Sequence, residues 1–395
     1  MADRRAVAAV VFGFMLTASS SVGQTFFISL FSGEIRAELA LSHGAFGIAY
    51  TVATLGGGLS LLVLGAFADR IAPGRLAAVT LVGLGLAALA FSSSYGWWTL
   101  VFALFGLRLL GQGMLSHISV TSVGRWFERG RGKALGLSSL GHAAGQAVLP
   151  GLVAFLLVGL GWRQVWLGIA AFLVVVLVPA ALALGRRTPD FVPLVEKQST
   201  RSGSRRSDVL RDSRFYILLP GILAPPFIVT GVFFHQVHLA ELKGWGLTTF
   251  ALTYPLFATA ATLVGLGTGF LVDRFGALRL VPVYLLPLAV GLLILSVGDA
   301  VATASAFMIV VGSSSGASNV VLGALWPELY GTAHLGAIRA MVMTLMVIAT
   351  AASPGLSGVL IDVGIELPVQ LTIFSVYTLI SALVLALMIP RMRRR

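Results

Sequence analysis

Arg108 sits in the middle of a long apolar run, and no Asp or Glu shares the interior of any such run with it. All fifteen acids fall in polar loops, termini or the edges of apolar segments. A buried guanidinium keeps its proton, so it must find an acceptor. An anionic ligand supplies one, bidentately if it is a carboxylate; backbone carbonyls or trapped water are the structural alternative. At 3.6 residues per helical turn, Gln112 lies one turn on and Ser119 close to the same face. His117 falls on the opposite side, where it packs against a neighbouring helix.

Other polar residues recur at helical spacing in apolar surroundings. Ser138, His142 and Gln146 form one stripe, and Thr17, Ser20, Ser21 and Gln24 form another. Gly312, Ser315, Asn319, Gly323 and Trp326 make a third, with the chain's single Asn, and Thr350, Ser353 and Ser357 a fourth. Small polar residues at these spacings commonly hold helices together. The larger groups are the stronger candidates for a solute, so the expected substrate-binding set is Arg108, Gln112, Gln24, His142, Gln146 and Asn319. With no carboxylate at membrane depth, a coupled proton would use a histidine, which titrates in the usable range, and His142 is the first choice. His235 and His238 stand one turn apart with no third ligand nearby, so no metal site is expected. The chain has no Cys, which removes disulfides and thiolate chemistry. No H-E-x-x-H, paired carboxylates or G-x-S-x-G occur among the apolar runs, so no enzyme and no cofactor is expected.

These residues need elements that lipid, not water, solvates. Of 395 residues, 57% are hydrophobic and 11% charged, against about 25% charged in a soluble domain. A spanning helix needs about 20 mostly apolar residues. Segments free of Asp, Glu, Lys and Arg cover 6–33, 39–68, 134–162, 164–185, 215–240, 244–272, 280–298, 300–327, 340–361 and 367–390. The stretch 76–122 is too long for one helix, and Tyr95-Gly96-Trp97-Trp98 splits it in two. The total is twelve, an all-α membrane protein with both termini on one side.

The net charge of +12 reads as topology rather than as a nucleic-acid surface. Loops on one side carry 23 of the 27 Lys and Arg, and the other side holds Arg36, Arg163 and Lys243. By the positive-inside rule both termini are cytoplasmic. Arg4-Arg5 before an apolar run imitates a signal peptide, but 6–33 is longer than a typical signal core. The basic face meets membrane lipid, although a topology determinant accounts for it. An Arg-to-Lys ratio of 24 to 3 with one Asn points to a GC-rich prokaryote, hence a bacterial inner (plasma) membrane.

Residues 186–214 are the one long polar segment and divide the chain into six-helix bundles at 1–185 and 215–395. At an offset of 204 the halves align without a gap at several places. Gly65-Ala-Phe-Ala-Asp69-Arg70 faces Gly269-Phe-Leu-Val-Asp273-Arg274, and Phe46 and Tyr50 face Phe250 and Tyr254. Pro150-Gly151-Leu152 faces Pro354-Gly355-Leu356. These are parallel repeats.

Twelve spans, a polar central loop and G-x-x-x-D-R after spans 2 and 8 resemble the major facilitator superfamily over essentially the whole chain. The first copy has Ala72 where the family has glycine; the second keeps it as Gly276. The resemblance implies that Gly65, Asp69, Arg70, Gly269, Asp273 and Arg274 form a conformational latch rather than a substrate site. Arg108-Leu-Leu-Gly111-Gln112-Gly113 looks like the family's R-x-x-x-G element. The run from Arg125-Trp126-Phe127 to Ala134-Leu135-Gly136 looks like that of the monocarboxylate transporter and oxalate/formate antiporter branch, which implies small organic anions. That branch's aromatic and acidic element in span 1 and its embedded Asp/Arg pair in span 8 are missing here.

The expected function is a secondary transporter that moves a small, monocarboxylate-like organic anion by alternating access, with or without a proton. A proton-coupled exporter of drugs or other small solutes is the first alternative; such carriers usually employ embedded carboxylates. A non-transporting sensor or assembly subunit is the second, and it calls for an added domain or a long loop.

Overall fold

In the computed structural model, which describes residues 2–127, 130–189, 206–331 and 334–392, twelve helices are long and apolar enough to cross a membrane. They are Arg4–Gly23, His43–Arg70, Pro73–Ser92, Trp97–Trp126, Arg131–Leu156 and Trp162–Gly185, then Ser213–Phe234, Leu247–Phe275, Ala277–Val297, Val301–Tyr330, Leu335–Asp362 and Leu367–Pro390. They are called spans 1 to 12 in that order. Most of the polar central segment, together with Glu128 and Arg129, lies outside the described residues.

Four pairs of spans begin in strict register: His43 and Leu247, Pro73 and Ala277, Trp97 and Val301, Arg131 and Leu335, each pair 204 residues apart. Spans 4 and 10 are each 30 residues long. The helices gather into two compact units, one of residues 1–196 with 234–237 and one of 197–233 with 238–395.

In the first unit, small residues bring backbones together where lipid offers no hydrophobic drive for helix association. Span 1 lies on span 5 through Gly141, whose missing Cβ leaves room for the Phe14 carbonyl, and through Gly145, which faces Ser21. Thr17 Oγ1 donates to the Ser138 carbonyl at 2.5 Å, and Ser119 of span 4 donates to the Gly13 carbonyl at 3.0 Å. Of the polar stripe of span 1, Thr17 bonds span 5, whereas Ser20 turns back to the Thr17 carbonyl and Ser21 Oγ has no partner. In the second unit, Gly312 and Gly316 of span 10 receive the backbone of span 8 at Phe257 and Ala261.

Span 1 departs from the uninterrupted helix expected over 6–33. It tightens to a 3-10 turn at Ser20–Gly23, and Gln24 is extended (φ −85°, ψ 153°). Short helical pieces then run from Thr25 to Glu38. The helix gives way between Gly23 and Thr25, where Gln24 makes no side-chain cap to the piece that follows. Irregular backbone at membrane depth is tolerated where protein surrounds it or water lines it, and spans 4 and 5 pack against this one through Gly111 and Gly145.

Candidate functional site

Span 4 is α-helical from Trp97 to Gly106, π-helical from Leu107 to Leu115, and α-helical again to Trp126. A π-turn closes i→i+5 bonds, widens the helix and shifts the faces of everything after it. Arg108 lies at the start of this widened segment and Gln112 within it. Gly23, at the end of the first part of span 1, meets the segment backbone to backbone: a Cβ on Gly111 would sit 2.8 Å from Gly23 N and Cα.

The broken helix supplies Arg108 with a partner. Its Nη1 donates to the Gly23 carbonyl at 2.8 Å and its Nε to Thr54 Oγ1 of span 2 at 3.1 Å. The guanidinium carbon stands 5.0 Å from the ring centroid of Tyr50, one turn before Thr54, a cation–π contact. The Tyr50 hydroxyl in turn hydrogen-bonds Thr25 Oγ1 at 2.7 Å, just past the break. Arg108 is only 4% exposed. None of these partners carries a negative charge, and no described carboxylate forms an ion pair with it. Nη2 has no acceptor among the described residues, yet it is not among the sealed, unpartnered polar atoms.

His117 corrects the helical-wheel expectation. It packs on a neighbouring helix, but that helix is span 2, which Arg108 also contacts: Nε2 lies 3.1 Å from the Gly65 carbonyl. The π-turn between the two residues rotates His117 away from the side opposite Arg108.

The remaining first-unit candidates frame the same break. Gln112 follows the Gly23–Gly111 contact, and a Cβ on Gly23 would touch its backbone nitrogen. His142 of span 5 meets Phe26 edge-on, with centroids 6.0 Å apart. Gln146 lies one turn further along span 5, beyond Gly145, which faces Ser21. The side chains of Gln24, Gln112, His142 and Gln146 are all at least partly shielded. None of the four hydrogen-bonds another described residue through its side chain, and none is sealed. Asn319 belongs to the second unit, where it is exposed on span 10. Its expected stripe divides: Gly312 is packed on span 8, Trp326 is buried against Phe215 and Tyr330, and the Gly323 carbonyl accepts from Arg339 at 2.5 Å.

Sequence reading passed over Gly23, Thr54 and Tyr50 as partners of Arg108. Tyr50 and Thr54 are one turn apart on an apolar helix, which was a signal; that a carbonyl is freed at Gly23 was not readable. The 204-residue register isolates the cluster. Tyr50 has its counterpart in Tyr254, but Thr54 corresponds to Ala258, Arg108 to Gly312 and Gln112 to Gly316.

The two latch copies also differ. Asp69 pairs with Arg125 Nη2, and Arg125 Nη1 donates to the Ala68 carbonyl at 2.9 Å. The arginine that opens the Arg125-Trp126-Phe127 run, at the end of span 4, thus clamps the end of span 2. In the second copy the counterpart of Arg125 is Leu329, and Asp273 is exposed. There Glu328 Oε2 caps the N-terminus of span 9 by accepting from Ala277 N at 2.6 Å. Arg70 and Arg274 are exposed, with Arg274 stacked over Phe275 at 5.3 Å. His238, considered with His235, instead meets Glu366 at 2.9 Å.

Twelve apolar spans in two sequence-related sets, with uncommitted polar side chains around a broken helix, define a membrane carrier of small solutes rather than an enzyme. The profile described as Major Facilitator Superfamily matches residues 13–354, and the chain belongs to that superfamily. It is 28% identical over 84% of its length to an uncharacterized 38 kDa protein in the 23S RNA operon of Thermoproteus tenax, of which it covers 82%. It is 26% identical over 41% of its length to the riboflavin transporter RibJ of Trypanosoma cruzi, spanning 35% of that protein. The fold is similar to the nucleoside transporter NupG (TM-score 0.76, 14% identity, 97% and 99% of the two chains). It is also similar to a bacterial homolog of the human lysosomal transporter Spinster (TM-score 0.69, 14% identity, 100% and 98%).

Proposed function

We propose that this superfamily transporter carries a small organic anion of the monocarboxylate kind across a bacterial inner membrane by alternating access. The observation behind this reading is the uncompensated charge of Arg108. Its protein contacts are neutral, and Nη2 remains free to meet a carboxylate oxygen in a charge-assisted bond. Gln24, Gln112 and Gln146 supply neutral hydrogen bonds in the same unit, and Asn319 of the second unit is a further candidate for binding the solute. His142, against the edge of the Phe26 ring, carries the proton in a coupled mode. The concentration of basic loops on one side supports cytoplasmic termini.

Uptake into proteoliposomes tests the reading with a panel of labelled mono- and dicarboxylates, plus uridine and riboflavin. Saturable carboxylate uptake is expected, with Arg108→Gln reducing uptake efficiency roughly tenfold or more, since a hydrogen bond to a charged group contributes about 1.5–3 kcal/mol. Absence of carboxylate uptake or competition, while Arg108→Ala still moves another solute, overturns it. A second reading rests on a separate observation, that the uncommitted groups around the break are otherwise three amides and an imidazole. A neutral, hydrogen-bonding heterocycle matches those, and the uridine and riboflavin arms detect it.

A further inference from the structure

We propose that Ser353, Ser357 and Gln370, in the second unit, form a binding site for one monovalent metal cation of sodium size. Gln370 opens span 12 and is buried. Its Nε2 donates to the Ser357 carbonyl at 3.2 Å and to the Ile365 carbonyl at 2.7 Å. These two bonds consume both amide hydrogens and fix the amide's orientation, since a flipped amide would set oxygen against two carbonyls. Oε1 is therefore an acceptor by construction, and it is sealed without a donor.

Ser353 and Ser357 stand one turn apart on span 11, so they share a face. Both hydroxyl oxygens are likewise sealed without a partner. Both lie against Gly231 of span 7, where an added Cβ would be 3.3 Å from Ser357 Oγ and closer still to Ser353 Oγ. Pro354, between them, has no N–H to offer the Thr350 carbonyl. Buried polar atoms in native proteins are almost always hydrogen-bonded, and an exception calls for an ion or a water.

Packing did not require polar groups at these places. The 204-residue register matches Ser353, Ser357 and Gln370 to Leu149, Val153 and Trp166. In the first unit Trp166 fills the space with rings, its centroid 5.6 Å from Phe27, 5.2 Å from Phe31 and 4.6 Å from Phe91. The second unit has three bare oxygens where its counterpart has Leu149, Val153 and a tryptophan whose Nε1 is the one sealed polar atom of the three.

An all-oxygen donor set selects a hard cation, and dedicated divalent sites add carboxylates. Glu366, the nearest carboxylate preceding Gln370 in sequence, is held by His238. Neutral oxygens alone suit a single charge. In a carrier whose spans hold no carboxylate in their interiors, such a site gives a coupling ion that needs no titratable group. That last step rests on the transport reading above; the binding test is read without it.

The test is equilibrium binding of 22Na+ to the purified full-length protein in nanodiscs, with melting followed in NaCl, KCl and choline chloride at matched ionic strength. Saturable, stoichiometric 22Na+ binding is expected, with a melting temperature that rises with sodium by mass action. Gln370→Leu and Ser357→Ala, each checked for a monodisperse elution profile, should weaken binding by roughly tenfold or more. No 22Na+ binding by the wild type, with identical melting in all three salts, assigns the oxygens to buried water and overturns the proposal. Wild-type affinity in both variants overturns it equally. Loss of carboxylate uptake with 22Na+ binding intact counts against the substrate reading alone.

Discussion

A guanidinium served by a carbonyl, a hydroxyl and an aromatic face is solvated but not neutralised. Removing one partner of a buried charged group costs more than the pair's net worth, because the other is left stranded. Among the described residues Arg108 has only neutral partners, and the anionic ligand proposed above would pair its charge. Glu38 is the opposite case. Its carboxylate accepts from Trp162 Nε1 at 2.6 Å and from Arg163 Nε at 2.9 Å, and Arg163 also reaches the carbonyls of Ser92 and Ser94. The Trp162 hydrogen bond, then that of Arg163, hold the carboxyl below its ordinary pKa. A lowered folded-state value adds stability above the unfolded value, and that stability is lost as pH falls through the folded one. The melting-temperature gap between wild type and Glu38→Gln should be open at neutral pH and close in acid below the ordinary carboxylate range. A gap unchanged with pH would mean the bonds to Glu38 do not depend on its charge.

At the scale of elements, two irregularities make the site: the break in span 1 and the π-turn in span 4. They are a matched pair. The widened turn brings Gly111 against Gly23, and the break turns the Gly23 carbonyl to Arg108. Gly23→Ala pushes a methyl into the Leu107 carbonyl and the Gly111 backbone, and overpacking of this kind typically costs about 1–3 kcal/mol. A lower melting temperature and weaker solute uptake are expected together, whereas Gly168→Ala, with nothing within 4 Å of its Cβ, should change neither. Equal melting of the two variants would show that spans 1 and 4 can separate at no cost.

Across the whole molecule the two repeats share a register but have divided the work. The first carries the Arg108 cluster, the second the sealed oxygens of Ser353, Ser357 and Gln370, and among the described residues the Asp-Arg turn is ion-paired in the first copy and not in the second. Part-exposed ion pairs contribute about 0–1 kcal/mol, so the test is relative. Asp69→Asn should lower the melting temperature more than Asp273→Asn. Arg125→Leu, which copies the second repeat, should reproduce the Asp69→Asn loss, and the double variant should add little to either. Additive losses would separate Asp69 from Arg125.

The twelve spans were readable because lipid enforces a simple rule: each crossing must be long, apolar and hydrogen-bonded within itself. The repeat was readable because Gly65, Asp69, Pro150 and their counterparts keep one offset. Arg108 was conspicuous for the same reason, since a charge is expensive at that depth. Composition and periodicity did not reveal that span 1 stops at Gly23, that span 4 widens at Leu107, or that Asp69 and Arg125 meet. Nor did they separate Ser353 and Ser357, whose hydroxyls lack partners, from Thr17, whose hydroxyl has one. Hydropathy is a sum over local residues and is fixed by the chain alone. Which carbonyl faces a guanidinium, and which hydroxyl goes without a donor, depends on distances between helices far apart in sequence, and those exist only once the helices have packed.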